Sequence, residues 1–454
     1  MARIISWLLN VAYLTLLAVL SPLIAWQAFR TGKYREGFWP KFFGLVPRRE
    51  GDATCVWIHA VSVGEVNLLA TLLRGLRAAH PDWEYVISTT SRAGYELAVK
   101  KYADHTVFYC PLDFSWAVRT AVRRIRPSML VLAELELWPN LILAVKEYGA
   151  PVAIINGRLS DRSFPGYKRV RWFVARVLKQ IDLIAAQNKE TATRFLALGA
   201  PPERVHITGS LKYDGAQTDR HNPRTQVLRE LACITNNDIV LLAGSTQEPE
   251  EQIAIDIFRR LAPQHPRLRL ILVPRHPERF DDVAKALEAS NLPWLRRSRL
   301  SRAAHSLTPR CDENSRDATH RRPILLVDSV GELGAWWGSS TIAFVGGSFG
   351  TRGGQNMLEP AAYGAAVSFG PNTWNFRDIV ASLVSADAAV VVKDAVALEA
   401  FVRRCLEEPS YANAIGTRAQ TLVKSQLGAT ARTVALIDSL GADSPIVISM
   451  QAVA

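Results

Sequence analysis

The 454-residue sequence predicts an α/β protein of two doubly wound domains behind an amino-terminal apolar helix. Three observations predict it. Short apolar runs alternate with helical patterns in two successive series, the pattern of βα units around a parallel sheet. A polar stretch separates the two series, and the chain is too long for one ordinary core. Residues 4–29 form an apolar run broken only by isolated Ser, Asn, Thr, Pro and Gln, long enough to cross a bilayer.

The apolar run lacks a small-x-small cleavage site and is expected to be retained. Only Arg3 precedes it, whereas Arg30, Lys33, Arg35 and Lys41 follow, so the positive-inside rule predicts a single crossing with the body in the cytoplasm. Phe38, Trp39, Phe42 and Phe43, mixed with those cations, read as a segment on the membrane surface, which makes residues 1–48 an anchor and interfacial region. The first domain, 49–216, carries strand-like runs at 55–60, 85–89, 106–109, 129–133, 152–155, 183–186 and 205–208. Residues 214–229 turn polar and mark the linker. The second domain, 217–440, repeats the pattern near 239–243, 270–273, 324–327, 341–345, 366–369 and 389–392, and a helical tail at 410–440 is expected to brace the two. Two such domains are expected to face each other across a cleft at their strand ends. Residues 296–322 hold eight arginines and three acids without apolar periodicity, and read as a solvated loop.

Composition narrows the class. Apolar content of 48% with 21% charged residues describes a folded chain. The excess of 54 basic over 42 acidic residues, a net +12, fits an anionic partner: nucleic acid, an acidic membrane surface or a phosphorylated ligand. No aromatic platform lies in an RNP-like strand, which counts against nucleic acid. The five cysteines form no CxxC pair, so neither a disulfide framework nor a zinc site is expected. The nine histidines are dispersed, and no HExxH or Walker loop is present, so no metal site is expected.

The candidate chemistry follows the strands. Glu65, in Val61-Ser-Val-Gly-Glu65, falls in a first helical turn after the first strand, where the helix dipole favours an ionised carboxylate able to act as a base; the competing reading is a capping residue. Glu134 and Glu136 follow the strand at 129–133, and Lys212 closes the first domain. In the second domain Arg275 and His276 leave a strand side by side, suited to a phosphate. Gly331, Glu332 and Leu333 open a helix whose N–H groups suit an anion. Gly346 and Gly347 allow a ligand near the backbone, and the run Asn356, Met357, Leu358, Glu359 starts a helix with a carboxylate placed to accept hydrogen bonds from ribose.

These motifs resemble one family throughout nearly the whole chain. His59-Ala-Val-Ser-Val-Gly-Glu65, Glu134-x-Glu-Leu-Trp-Pro-Asn140, Asn156-Gly-Arg-Leu-Ser160, Gly209-Ser-Leu-Lys212, Pro274-Arg-His-Pro-Glu-Arg279, Gly331-Glu-Leu333 and the run 344–359 are similar to those of the Kdo transferases of lipopolysaccharide biosynthesis. The resemblance implies a GT-B fold of two Rossmann-like domains. It also implies an inverting transfer of Kdo from CMP-Kdo to a lipid A precursor such as lipid IVA, at the bacterial inner membrane, with no metal or other cofactor in the chemical step. By the resemblance Glu65 is the general base, and Glu134 and Lys212 stabilise the transition state. Arg275, His276, Gly331, Glu332, Leu333, Asn356, Met357, Leu358 and Glu359 then hold CMP. Gln355 and Met357 depart from the Gly-Gly-His-Asn-Pro-Leu-Glu pattern of many members. The competing functions are a GT-B transferase using another nucleotide sugar and a non-catalytic basic membrane scaffold.

Overall fold

A computed structural model describes residues 2–31, 38–300 and 322–442. The chain divides into two compact units: unit 1 is Met1–Gly215 with Leu427–Ala454, and unit 2 is Ala216–Gln426. The second unit thus ends before the expected residue 440. The helix Ala429–Ala442 packs on unit 1, where Gly428 and Thr430 donate backbone N–H bonds to Asp214.

Unit 1 is a seven-stranded parallel sheet of β1 (Cys55–His59), β2 (Glu84–Thr89), β3 (Thr106–Tyr109), β4 (Met129–Ala133), β5 (Val152–Gly157), β6 (Leu183–Ala186) and β7 (Val205–Ile207). Their order is β3-β2-β1-β4-β5-β6-β7, with Val56 level with Tyr85 on one side and Met129 on the other. Helices cover both faces, which is why the central strands are unbroken apolar runs rather than alternating ones. Trp57, Leu130, Leu132 and Ile154 enter one core layer; Val56, Ile58, Val131 and Ile155 enter the other.

Unit 2 repeats the architecture with β8 (Ile239–Thr246), β9 (Leu268–Pro274), β10 (Trp294–Arg296), β11 (Ile324–Leu326), β12 (Ile342–Val345), β13 (Ala366–Phe369) and β14 (Ala389–Val391). The order is β10-β11-β9-β8-β12-β13-β14, again parallel. Strand β10 lies where the sequence suggested a loop to begin. It is a three-residue edge strand, too short to show a period. The arginine-rich segment lies mostly outside the described residues, yet its described ends are anchored rather than solvated. Arg296 pairs with Asp281 at 2.7 Å, Arg297 grips Glu332 at 3.0 and 2.8 Å, and Arg322 reaches Asp238 at 3.3 Å. Cys55, Cys110 and Cys405 are free and buried.

Three helices matter for the site and its surroundings: α1 (Ala2–Thr31), α2 (Phe38–Phe43) and α3 (Val63–Ala79). Within α1, Ser6–Leu23 is long and apolar enough to cross a membrane.

Candidate active site

In each sheet the chain order reverses beside the first strand, between β1 and β4 in unit 1 and between β8 and β12 in unit 2. Loops leaving the carboxyl ends of two such strands diverge to opposite faces and leave a crevice. The candidate residues gather at these two places.

In unit 1, Glu65 follows β1 and Glu134 follows β4. Glu65 is the third residue of α3, whose N-cap is Ser62. Its carboxylate accepts the Val61 N–H at 2.8 Å and the Ser62 hydroxyl at 2.7 Å, while the Ser62 oxygen accepts the Glu65 N–H at 3.3 Å. This is a capping box in which the glutamate also closes the strand-to-helix turn. The capping reading therefore holds for this side chain. Burial raises the Glu65 pKa; the bonds from Ser62 and Val61 oppose that rise, and the nearby Glu134 charge adds to it. The dipole argument from sequence, which favoured the ionised form, loses to desolvation.

Glu134 sits at φ +57°, a left-handed conformation that costs a non-glycine residue on the order of 1 kcal/mol or more. Its carboxylate lies 3.5 Å from the Lys212 ammonium. Lys212 is held from below by Asn156, itself at φ +51°, whose Oδ1 accepts the Leu211 N–H at 3.1 Å and the Ser210 hydroxyl at 3.3 Å. Glu136 belongs to the same cluster. Burial, followed by the Glu65 charge, pushes its pKa up to about 7, against one bond from the Trp138 indole at 3.1 Å. His59 is not a rival base. It is fully buried, Nδ1 meets Ser88 Oγ at 2.9 Å, and burial lowers its pKa to about 4, so it stays neutral.

In unit 2, Arg275 and His276 stand exposed at the end of β9, with the Arg275 N–H bonded to the Thr246 carbonyl at 3.0 Å. Glu359 accepts the Asn356 amide at 3.0 Å. Burial raises its pKa, and the Arg275 charge acts on it in the opposite sense, so these two motifs share one neighbourhood. The segment after β11 joins them: a Cβ at Gly334 would lie 3.9 Å from Glu359 Oε2. The expected helix there is only Leu333–Trp336, and the Glu332 carboxylate is taken up by Arg297, by the Ser329 hydroxyl at 2.7 Å and by the Trp336 indole at 3.4 Å. Gly331 is exposed at φ +87°, and Leu333 is half-buried. The Met357 and Leu358 side chains are buried in the core, so only their backbone is offered to a ligand.

One residue escaped the sequence reading. Glu250, 1% exposed, accepts the N–H groups of Gln247, Gly347, Ser348 and Phe349 at 2.9, 2.7, 2.9 and 3.0 Å. A Cβ on Gly346 would come within 2.6 Å of its Oε2. The glycine pair was expected to admit a ligand; at Gly346 it admits the protein's own carboxylate. The available signal was Glu250 in the first turn of the helix after β8, the strand at the reversal. Among the described residues no three His, Cys, Asp or Glu side chains gather as metal ligands do.

Comparison with known proteins gives the family. Residues 37–215 match the family model described as 3-Deoxy-D-manno-octulosonic-acid transferase (kdotransferase). The 3-deoxy-D-manno-octulosonic acid transferase of Haemophilus influenzae is 33% identical over 436 residues, covering 94% of this chain and 97% of that one. The crystal structure of the C-terminal CMP-Kdo binding domain of WaaA from Acinetobacter baumannii is 29% identical, covering 45% of this chain and 99% of that chain at a TM-score of 0.39. UDP-GlcNAc 2-epimerase from Neisseria meningitidis, bound to UDP-GlcNAc, is 12% identical and covers 85% of this chain and 100% of its own at a TM-score of 0.53, a likeness of fold. With two doubly wound units of the GT-B class and full-length similarity to these transferases, the chain belongs to the 3-deoxy-D-manno-octulosonic acid (Kdo) transferase family and is a glycosyltransferase.

Proposed function

We propose that the protein transfers Kdo from CMP-Kdo to a lipid A precursor, lipid IVA, with inversion at the anomeric carbon and without a metal, at the cytoplasmic face of the bacterial inner membrane in lipopolysaccharide biosynthesis. The observation that carries this reading is the unit 1 cluster at the point of strand reversal, where the Glu65, Glu134 and Glu136 carboxylates feel one another's charge and Lys212 pairs with Glu134. Desolvated carboxylates in such a cluster are stronger bases than in water.

In this reading the acceptor hydroxyl attacks the anomeric carbon of Kdo while Glu65 takes its proton. The new C–O bond forms as the bond to the CMP phosphate breaks, and CMP departs with the electron pair. Lys212, kept beside Glu134, offsets negative charge that grows on the Kdo and phosphate oxygens. Arg275 and His276 supply donors to the phosphate, and Glu359 and Asn356 face the ribose, with backbone from 331–333 and 356–358 completing the hold on CMP. The basic excess and the apolar α1 suit an acceptor that is both phosphorylated and membrane-embedded.

The test is product formation from CMP-Kdo and a tetra-acylated lipid A precursor, read by mass spectrometry, with a UDP-sugar as the competing donor. Glu65→Gln keeps a capping oxygen, so it should fold and bind CMP-Kdo normally while turnover falls about 10³-fold. Turnover within a few-fold of wild type would remove Glu65 from the chemistry.

A further inference from the structure

We propose that α1 enters and leaves the membrane from one face, as a helix clamped to unit 1, rather than crossing the bilayer as its length suggests. This rests on the reading of the protein as membrane-bound and adds to it where the helix lies.

The amino-terminal third of α1 is part of the folded unit. Ser6 and Asn10 are 4% and 9% exposed. The Asn10 amide donates to Ser115 Oγ at 2.7 Å, and its Oδ1 accepts the Ser115 N–H at 2.9 Å and the Asn140 amide at 3.4 Å. The Tyr13 hydroxyl donates to Asp113 at 3.2 Å, and its ring meets Phe114 edge-on at 6.0 Å. The same Asp113 carboxylate caps the helix Pro139–Tyr148 through the N–H groups of Asn140 and Leu141 at 3.1 and 2.8 Å. These are reciprocal bonds to a rigid part of unit 1.

The chain returns to the same place after α1. The Phe42 ring packs on Phe114 at 5.2 Å, the Phe42 carbonyl accepts the Trp116 indole at 2.9 Å, and the Lys41 carbonyl accepts the Leu112 N–H at 2.8 Å. Tyr13 and Phe42 thus touch one aromatic ring, one before and one after the exposed part of α1.

Chain length then decides the topology. From Tyr13 to Thr31 the helix advances about 27 Å, close to the roughly 30 Å of a hydrocarbon core. From Thr31 to Phe38 the backbone can reach at most about 24 Å. If α1 crossed away from unit 1, residues 32–37, Gly-Lys-Tyr-Arg-Glu-Gly, would have to recross the hydrocarbon without a helix and with three charges, which the absence of water there forbids. If it crossed in the other sense, Asn10 and Tyr13 would be carried to the far leaflet, away from Ser115 and Asp113. Only a path within the near leaflet keeps both sets of contacts.

The helix is built for immersion along that path. Val19, Leu23, Trp26 and Phe29 are exposed and face lipid, and the Thr15 and Ser21 hydroxyls turn back to the carbonyls of Val11 and Ala18 at 2.9 and 2.8 Å. At the last turn the Arg30 guanidinium lies 5.2 Å from the Trp26 ring, a pair suited to the headgroup layer.

The experiment uses the full chain with a short Gly-Ser extension carrying one cysteine ahead of Met1, checked for Kdo transfer. A membrane-impermeant maleimide should label it in inverted inner-membrane vesicles and not in cells whose outer membrane alone has been opened. Labelling from the outside in an active, membrane-retained protein overturns the proposal. As a second measurement, Asn10→Cys with Ser115→Cys should cross-link under copper phenanthroline in membranes; a pair that stays uncrosslinked in protein that still transfers Kdo also overturns it. Release of the whole chain by carbonate extraction would instead defeat the membrane reading itself.

Discussion

Unit 1 gathers Glu65, Glu134 and Glu136, with the Lys212 ammonium 3.5 Å from Glu134, and burial leaves Glu65 and Glu136 holding their protons more tightly than an exposed glutamate. Unit 2 also places acids at its strand ends; burial raises the pKa of Glu359 there, but Glu250, Glu332 and Glu251 are compensated. Glu250 takes four backbone N–H groups, Glu332 takes Arg297, and Glu251 takes Arg279 at 3.2 Å. The two sheets share a topology, so the difference lies in what surrounds the carboxylates. Under-compensated acids are bases waiting for a proton; fully bonded acids are braces that set the shape of a loop.

The largest expected effect of breaking this contrast is at Lys212. Lys212→Ala removes the cation paired with Glu134, so kcat should fall about 100-fold. The acid limb of the pH–rate profile should also move to higher pH, because the carboxylates lose their counter-charge. A loss in KM alone, with the limb unmoved, would mean that Lys212 only holds substrate.

Next comes Glu250→Gln. The amide keeps one acceptor oxygen and turns an NH₂ toward two N–H donors, leaving them unpaired at a cost of about 2–3 kcal/mol in urea unfolding. Donor KM should rise about tenfold as the Gly347–Phe349 backbone shifts, with kcat nearly kept. Unchanged stability and KM would show that the loop holds its shape without the carboxylate.

The smallest effect, and opposite in sign, is expected from Glu136→Gln. The folded pKa of Glu136 is raised, so its favourable contribution is present below the ordinary carboxylate range and is lost as pH rises through about 7. The amide should therefore be more stable than wild type at pH 8, on the order of 1–2 kcal/mol after allowing for solvent screening, and the gain should vanish near pH 4. The acid limb of activity should move to lower pH, since Glu65 loses a like charge. Thermal melts from pH 4 to pH 8 check the first statement; a constant difference across that range would show that the effect is packing.

Much of this was legible in the residues. The apolar runs at 55–60 and 129–133 could only be buried parallel strands, and Ser62 three residues before Glu65 marked a helix start, because strand burial and capping are local properties. Arg275 and Asn356 stood out because their motifs are contiguous. Glu250 did not, because its partners lie some hundred residues later and a lone glutamate in a first turn looks like any other. Glu136 was seen but not placed, since its proton affinity depends on Glu65, a residue brought near by the pairing of β1 with β4.

The same division applies to α1. Sequence by itself determined that residues 4–29 are apolar, that two α/β units follow, and that acids and cations cluster after particular strands, because composition, period and capping are written within a few residues of one another. Tertiary structure decided which acids are basic and which are braces. It also decided that Asn10 and Tyr13 belong to the globular unit, because hydrogen bonds and desolvation depend on residues a hundred positions away.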